Sequence, residues 1–306
     1  TRVEQAAACL MAITGNIDIP GGKYMPNYPG QLVYGKHPLR DSEMELTDKL
    51  TDEQRQKMIG GDKYRLMGPA GYAAWGEPYT RVYGTPAPTM HVIGSNEPLI
   101  YRSIVNNDPN HPRALITWAA NLMVRSGNTR LVYEALTSPN LELSVSLELT
   151  HTPSSELADY VIPSASCFER PCMTTWEDFA DAVCFGEKAI EPIGERRDDF
   201  FFWRGLGLRL GQKEYWPWET HEEVIEYRAA PVGLKFKELV EMGGLRPEPE
   251  YRKYEKRGFA TNSGKFELYS TVLEKLGYDP LPYYKEPPES PVSMPEVAEE
   301  YPYILI

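Results

Sequence analysis

Between Ala114 and Pro163 three short apolar runs stand in close succession: Ala114-Leu-Ile-Thr-Trp118, Leu141 to Glu148, and Tyr160-Val-Ile162. What separates them decides how they pair. After the first run comes a polar loop, Ala119 to Asn128, and then Leu131, Val132, Ala135 and Leu136 at helical spacing. After the second, Thr152 can cap a brief helix with Pro153 in its first position, where a missing N–H costs nothing. Strands joined by helices pair in parallel, because an antiparallel neighbour needs only a tight turn, and the crossovers are right-handed. The second run alternates Leu141, Leu143, Val145 and Leu147 with small or acidic residues, which suits a strand near a sheet edge. The fold class is therefore α/β, a parallel-sheet (Rossmann-like) dinucleotide-binding unit with irregular, helical and hairpin additions.

The additions lie on both sides. Val3, Ala6, Ala7, Leu10, Met11 and Ile13 give helical spacing from the first turn, and Gly15 to Gly22 is a turn-rich exit. Residues 23 to 90 are rich in Tyr, Pro and Gly and hold one clear helix, with Thr51 as N-cap, Gln54 three residues on and Gly60-Gly61 as its stop. Such a stretch serves either as a lid or channel wall, or as plain surface loop. Beyond Pro163 come a loop with Glu169, Thr174 and Thr175, a turn from Ile193 to Asp199, and a helix from Phe200 to Leu210 closed by Gly211. Two further helices follow, the first opened by the Thr220-x-x-Glu223 capping box, and then a hairpin turning at Asn262-Ser-Gly264. Pro280, Pro282, Pro287, Pro288, Pro291 and Pro295 form a linker into Tyr301-Pro-Tyr-Ile-Leu-Ile306, an apolar strand. A helix without a start and a strand without a turn read as cuts at both ends. The expected units are 1–22, the end of a preceding α/β domain; 23–110, a loop-rich insertion by a substrate channel; 111–211, the nucleotide-binding domain; 212–279, helices and hairpin; and 280–306, linker and first strand of a further domain.

In an open parallel sheet ligands bind at the carboxyl ends of the strands, where loops and helix N-termini present backbone N–H groups. Three such places are readable: 119–128, 148–152 and 164–169. Glu148, ending the second strand, can accept hydrogen bonds from ribose hydroxyls or from a base, and Thr152 can donate to a phosphate or ribose oxygen. A solvated carboxylate and a simple helix cap are the competing readings, with equal weight. No catalytic motif stands beside them: there is no Gly-x-Ser-x-Gly elbow, phosphate loop or His-Glu-x-x-His helix, and no Gly-x-Gly-x-x-Gly fingerprint follows the first strand. A net charge of -12 with no basic patch excludes a nucleic-acid binder, and no apolar run is long enough for membrane insertion. Cys9, Cys167, Cys172 and Cys184 have no metal-ligand spacing and are expected to pack as small buried groups.

Three motifs occur in register over almost the whole chain: Thr14-Gly-Asn-Ile-Asp-Ile-Pro-Gly-Gly22, Ala158-Asp-Tyr-Val-Ile-Pro163 followed by Glu169, and Asn262-Ser-Gly-Lys-Phe-Glu-Leu-Tyr-Ser270. In these the chain resembles the middle-to-C-terminal part of the molybdopterin oxidoreductases, the dimethyl sulfoxide reductase family. Thr152-Pro153 and Leu157 to Pro163 resemble the branch containing acetylene hydratase and related anaerobic reductases and dehydroxylases. The resemblance implies two molybdopterin guanine dinucleotides on one molybdenum or tungsten ion, a [4Fe-4S] cluster in an N-terminal part preceding Thr1, a small-molecule substrate and room for an iron–sulfur electron-transfer subunit as partner. It gives 114–163 the guanosine end of one dinucleotide, with Asn121, Glu148 and Thr152 as contacts and Glu169 and Asp199 as second-rank ones. It places no metal ligand and no catalytic residue in this chain. Family members commonly read Glu-x-x-Gly-Thr where this chain has Glu169-Arg-Pro-Cys-Met-Thr174.

The function implied is oxygen-atom or two-electron transfer at the metal. Acetylene hydratase-like hydration, without redox change, and reductive dehydroxylation are alternatives within the family. A non-catalytic electron-transfer subunit of the same fold and a free-standing flavodoxin-like nucleotide binder stay open beside them.

Overall fold

The computed structural model describes residues 2–28, 33–34, 37–40, 44, 51–87, 96–108, 110–175, 183–243, 248–287 and 290–303. Seven strands and twelve α-helices are described. The strands are β1 (Val33–Tyr34), β2 (His37–Pro38), β3 (Ala114–Trp118), β4 (Leu143–Glu148), β5 (Tyr160–Pro163), β6 (Cys172–Thr175) and β7 (Val183–Gly186). The helices are α1 (Arg2–Ile13), α2 (Asp52–Gln56), α3 (Pro69–Tyr83), α4 (Glu97–Asn106), α5 (Leu122–Arg125), α6 (Thr129–Leu136), α7 (Asp199–Arg209), α8 (His221–Ala229), α9 (Phe236–Glu241), α10 (Tyr254–Arg257), α11 (Thr271–Lys275) and α12 (Pro295–Glu300).

The three runs that opened the sequence reading form one parallel sheet in the order β3-β4-β5. β4 is therefore central, not near an edge. The alternation misled because its polar members are serines: Ser144 and Ser146 are buried, and a side chain that small lets a neighbouring layer close over it without needing water. Leu115, beside Ser144 in the register, packs into a cluster built from Tyr101 and Ile104 of α4, Leu122 of α5, and Val132, Ala135 and Leu136 of α6. Ile104 and Val132 are wholly buried there, each stabilising the fold by about 1.5–3 kcal/mol. Asn128 caps α6 by accepting from the Leu131 amide, so the crossover helix starts where its apolar stripe begins.

α1, the Thr51–Gln54 capping box, α7 and the Thr220–Glu223 capping box of α8 all form as their signals suggest. α2 ends at Gln56, short of the Gly60-Gly61 stop. Five further expectations are corrected. Residues 23–110 hold two long helices that the loop-rich reading missed, α3 and α4; Gly71, Gly76 and Pro78 mask the first in sequence. Gly71 is required there, since a Cβ would run into the Leu66 carbonyl oxygen. The segment after Glu169 is not all loop but the β6–β7 antiparallel pair, whose Val183 and Phe185 join a core with Ile225, Ala229, Phe236 and Leu239.

The 262–264 hairpin is a turn without a ladder. Phe259 N–H donates to Gly264, whose φ is +69°, but the amides of Ser263 and Thr271 go to the Glu267 carboxylate instead of a partner strand. The proline-rich stretch contains α12, and 301–303 are irregular; the rest of the expected terminal strand, 304–306, lies outside the described residues. The cysteines are also not buried: Cys167 and Cys184 are exposed and Cys9 and Cys172 partly so, all as free thiols. Among the described residues no helix is long and apolar enough to cross a membrane.

Candidate functional site

Parallel strands put their carboxyl ends on one side; Glu148 ends β4, Asn121, Thr152 and Glu169 lie in the loops just beyond the strands, and Asp199 comes later, at the start of α7 after β6 and β7. The chain leaves β3 through Ala119, whose φ of +49° is a left-handed conformation that side chains rarely adopt. Its N–H donates to Leu147 on β4, so the strained residue is pinned by the sheet it leaves. Asn121 follows as the N-cap residue of α5. Its side chain does not cap the helix; Oδ1 accepts from Ser154 Oγ at 2.8 Å, and Ser154 Oγ accepts from the Met123 amide at 2.8 Å. The loop after β3 is thus bound to the loop after β4 through one buried serine.

Thr152 is not the N-cap that the sequence suggests, nor Pro153 the first helical residue: the brief helix is a 3-10 turn, Ser155–Leu157, with Ser154 as its N-cap residue. Thr152 Oγ1 accepts from the Ser155 amide at 3.1 Å and the Thr152 amide donates to Ser155 Oγ at 2.8 Å. Glu148 ends β4, half-buried, with one carboxylate oxygen, Oε1, buried and without a hydrogen-bond partner. Burial pushes its carboxyl above the ordinary 4.5, against the opposing pull of the Ala120 amide. Next to it, Ser164 donates its amide to the Glu148 carbonyl and keeps a buried, unpartnered hydroxyl. Two orphaned polar atoms therefore lie at the carboxyl ends of β4 and β5. In a native protein such groups are rare and ask for a ligand or a water.

Glu169 and Asp199 stand differently. Glu169 is 2% exposed and accepts from the amides of Ser166 (2.7 Å) and Ile193 (2.8 Å), with Arg196 at 3.3 Å. Those two amides, helped by Arg196, pull its carboxyl down to about 2. Arg196 reaches on to the Leu149 carbonyl, so Glu169 fastens the loop after β5 to the loop after β4. Asp199, buried at the start of α7, accepts from Trp118 Nε1 at 2.8 Å and holds that helix against the end of β3. The structure brings Asn121, Glu148 and Thr152 together at the open edge and turns Glu169 and Asp199 inward as fasteners. Ser154, Ser164 and Arg196 were not read from the sequence. Nothing marks a serine that meets its partner 33 residues away as Ser154 meets Asn121.

A three-stranded parallel sheet with unsatisfied acceptors at its carboxyl edge defines the α/β proteins that hold a ligand across the strand ends. Comparison with known proteins narrows this class. No family model matches the chain. Acetylene hydratase of Syntrophotalea acetylenica is 35% identical over 272 residues, covering 86% of this chain and 36% of the relative. The solved structure of acetylene hydratase from Pelobacter acetylenicus matches with a TM-score of 0.78 at 32% identity, over 89% of this chain and 37% of that one. Trimethylamine-N-oxide reductase of Haemophilus influenzae is 26% identical over 225 residues, 62% of this chain and 26% of the reductase. The chain belongs to the molybdopterin oxidoreductase (dimethyl sulfoxide reductase) family. It spans just over a third of the length of acetylene hydratase, 36%, and its relatives include both a hydratase and oxidoreductases.

Proposed function

We propose that the carboxyl edge of β3-β4-β5 holds the guanosine end of one molybdopterin guanine dinucleotide, in a protein that binds two such cofactors on a molybdenum or tungsten ion. The observation that carries this is the buried, unpartnered Oε1 of Glu148. Guanine presents adjacent N–H donors and no other base edge suits a lone carboxylate as well, while a ribose offers hydroxyls that Thr152 and Asn121 can meet. Asn121 still has its Nδ2 donors free among the described residues, since only Oδ1 is used by Ser154. The residues present therefore fit the group. Glu169 and Asp199 position the loops in this reading and do not touch the nucleotide.

When bound, the cofactor supplies the metal centre for oxygen-atom or two-electron transfer. This chain's share is to orient one end of it and to keep the loops fixed around it. Neither the metal ligands nor an iron–sulfur site is assigned to residues 1–306. A hydration reaction without net redox change is the second reading, favoured by the 35% identity to acetylene hydratase. Glu148→Ala in the intact protein tests the assignment: pterin and metal content per protein are expected to fall while the spectrum of the metal that remains is unchanged. Full cofactor content in that variant would overturn it. Assay of acetylene hydration against N-oxide reduction by a reduced dye separates the two reactions.

A further inference from the structure

The turn that carries Glu169 also walls a cavity of about 440 Å3, between residues 169–171, the 188–198 turn and the start of α8. Asn121, Glu148, Thr152 and Asp199 do not line it. Its charged lining is unusual: Arg170, Lys188, Arg196 and Arg197 face Glu169, Asp198 and Glu222, with His221 beside them.

Most of these charges are already committed. Arg196 pairs with Glu169, and Lys188 with Glu191 at 2.8 Å. Asp198 accepts from the Phe200 amide at 3.0 Å and meets His221 Nδ1 at 2.6 Å, and the Phe200 ring stacks on the imidazole. The start of α8 carries its own capping box, which satisfies the amides of Thr220 and Glu223. Two cations remain. Arg170 Nε is buried with no hydrogen-bond partner; the Arg170 charge helps hold the Asp198 carboxyl down, but neither Arg170 nor Arg197 closes an ion pair or hydrogen bond with a carboxylate among the described residues. A guanidinium donor buried without an acceptor costs free energy that a bound anion returns, and the guanidinium fork matches an oxyanion.

We propose that this cavity binds the phosphate group of a small phosphate-bearing molecule, at a site separate from the one at the sheet edge. The cations come from two different turns, with the imidazole on a third element. A tetrahedral oxyanion offers acceptors in all these directions, whereas a planar carboxylate offers them on one side. Pro171, Pro192 and the half-exposed ring of Phe201 supply apolar wall for the rest of the ligand, and the volume exceeds what inorganic phosphate alone fills.

The intact protein, titrated calorimetrically with inorganic phosphate, with glycerol phosphate and with acetate, tests this. Both phosphates are expected to bind, the ester more tightly, and acetate not measurably. Arg170→Met and Arg197→Met should each weaken phosphate roughly ten- to a hundred-fold, the loss of a charge-assisted hydrogen bond. Arg197 is exposed, so R197M keeps the test intact even where R170M fails to fold. Arg130→Met, on the exposed face of α6 and paired with Glu134, and Glu148→Gln should leave phosphate affinity unchanged. Absence of phosphate binding, an equal loss in R130M, or acetate binding as well as phosphate would overturn the proposal. Loss in E148Q would also overturn it, by placing the anion at the sheet edge.

Discussion

Replacing Glu148 by glutamine should move stability and nucleotide affinity in opposite directions, and the reason lies in the environment of one carboxylate. Burial holds the Glu148 carboxyl above its ordinary 4.5, with the Ala120 amide opposing. A folded-state value above the unfolded one means that the folded protein binds the proton more tightly. The stability this contributes is complete below pH 4.5 and is lost as pH rises through the folded value. At neutral pH the ionised side chain is therefore a liability, with a buried oxygen unpaired. Leaving such a group unsatisfied costs about 1–3 kcal/mol, and the low end applies to a half-buried side chain. E148Q should then gain about 1 kcal/mol at pH 7, roughly 1–2 °C for a chain of this length, and nothing below pH 4.5. Nucleotide binding should go the other way. Glutamine keeps one acceptor and sets an NH2 against the base's own donors, so at least one charge-assisted bond is lost and guanosine diphosphate should bind roughly ten- to a hundred-fold more weakly. Urea unfolding at pH 7 and pH 4, with calorimetric titration of cofactor-free protein, measures both. A lower unfolding midpoint at pH 7, or unaltered guanosine diphosphate affinity, refutes the reasoning.

Three further perturbations have definite expected outcomes. Lys253→Met strands Asp18, which is fully buried and takes Lys253 Nζ at 2.9 Å; breaking a buried pair of this kind costs about 3–5 kcal/mol, read as a fall in the urea midpoint. A loss under about 1 kcal/mol would mean that the amides of Met25 and Lys253, at 3.1 and 2.8 Å, already satisfy the carboxylate. Ala119→Gly releases the left-handed strain at φ +49° but loosens the unfolded chain, so stability should change by no more than about 1 kcal/mol, where a change to Val should cost more than that. Glu169, held down at about 2, contributes stability that is present above 4.5 and lost as pH falls toward 2. E169Q should therefore unfold less steeply with acid across that interval, and coincident acid-unfolding curves for the two proteins would contradict the assignment.

The sheet was legible because each of its strands is apolar, short and bounded by turn chemistry, and because a helical stripe between the first two forbids antiparallel pairing. The position of Glu148 at the end of β4 followed from that alone, while the brief helix beyond it starts two residues later than Thr152 suggested, with Ser154 as its N-cap. Strand order did not follow, since a serine alternating with Val145 and Leu147 reads the same whether it faces water or a packed helix. α3 was hidden for the opposite reason. Its glycines and Pro78 lower helix propensity, and its buried face carries Tyr79 and Tyr83, their rings tilted against each other with centroids 4.4 Å apart, an aromatic packing that a count of aliphatic residues does not register. Local signals report local choices, and tertiary contacts made the rest.

The roles of the five site residues show where this limit bites. Sequence position put Glu148 at a strand end, Asn121, Thr152 and Glu169 in the loops that follow strands, and Asp199 ahead of the Phe200 helix, yet hydrogen bonding divides them. Glu169 and Asp199 spend their acceptors on Ser166, Ile193 and Arg196, and on Trp118. Asn121 spends one on Ser154. These bonds join the loops after β3, β4 and β5 to one another before any ligand arrives, so ordering them is not charged to binding. Glu148 is then left as the carboxylate with a buried oxygen that no group among the described residues satisfies. A site whose loops are fastened by its saturated carboxylates and whose unsaturated one faces the opening concentrates its selectivity in a single group. Substitutions at the fasteners should therefore act on stability and on affinity together, and only at Glu148 should the two separate in sign.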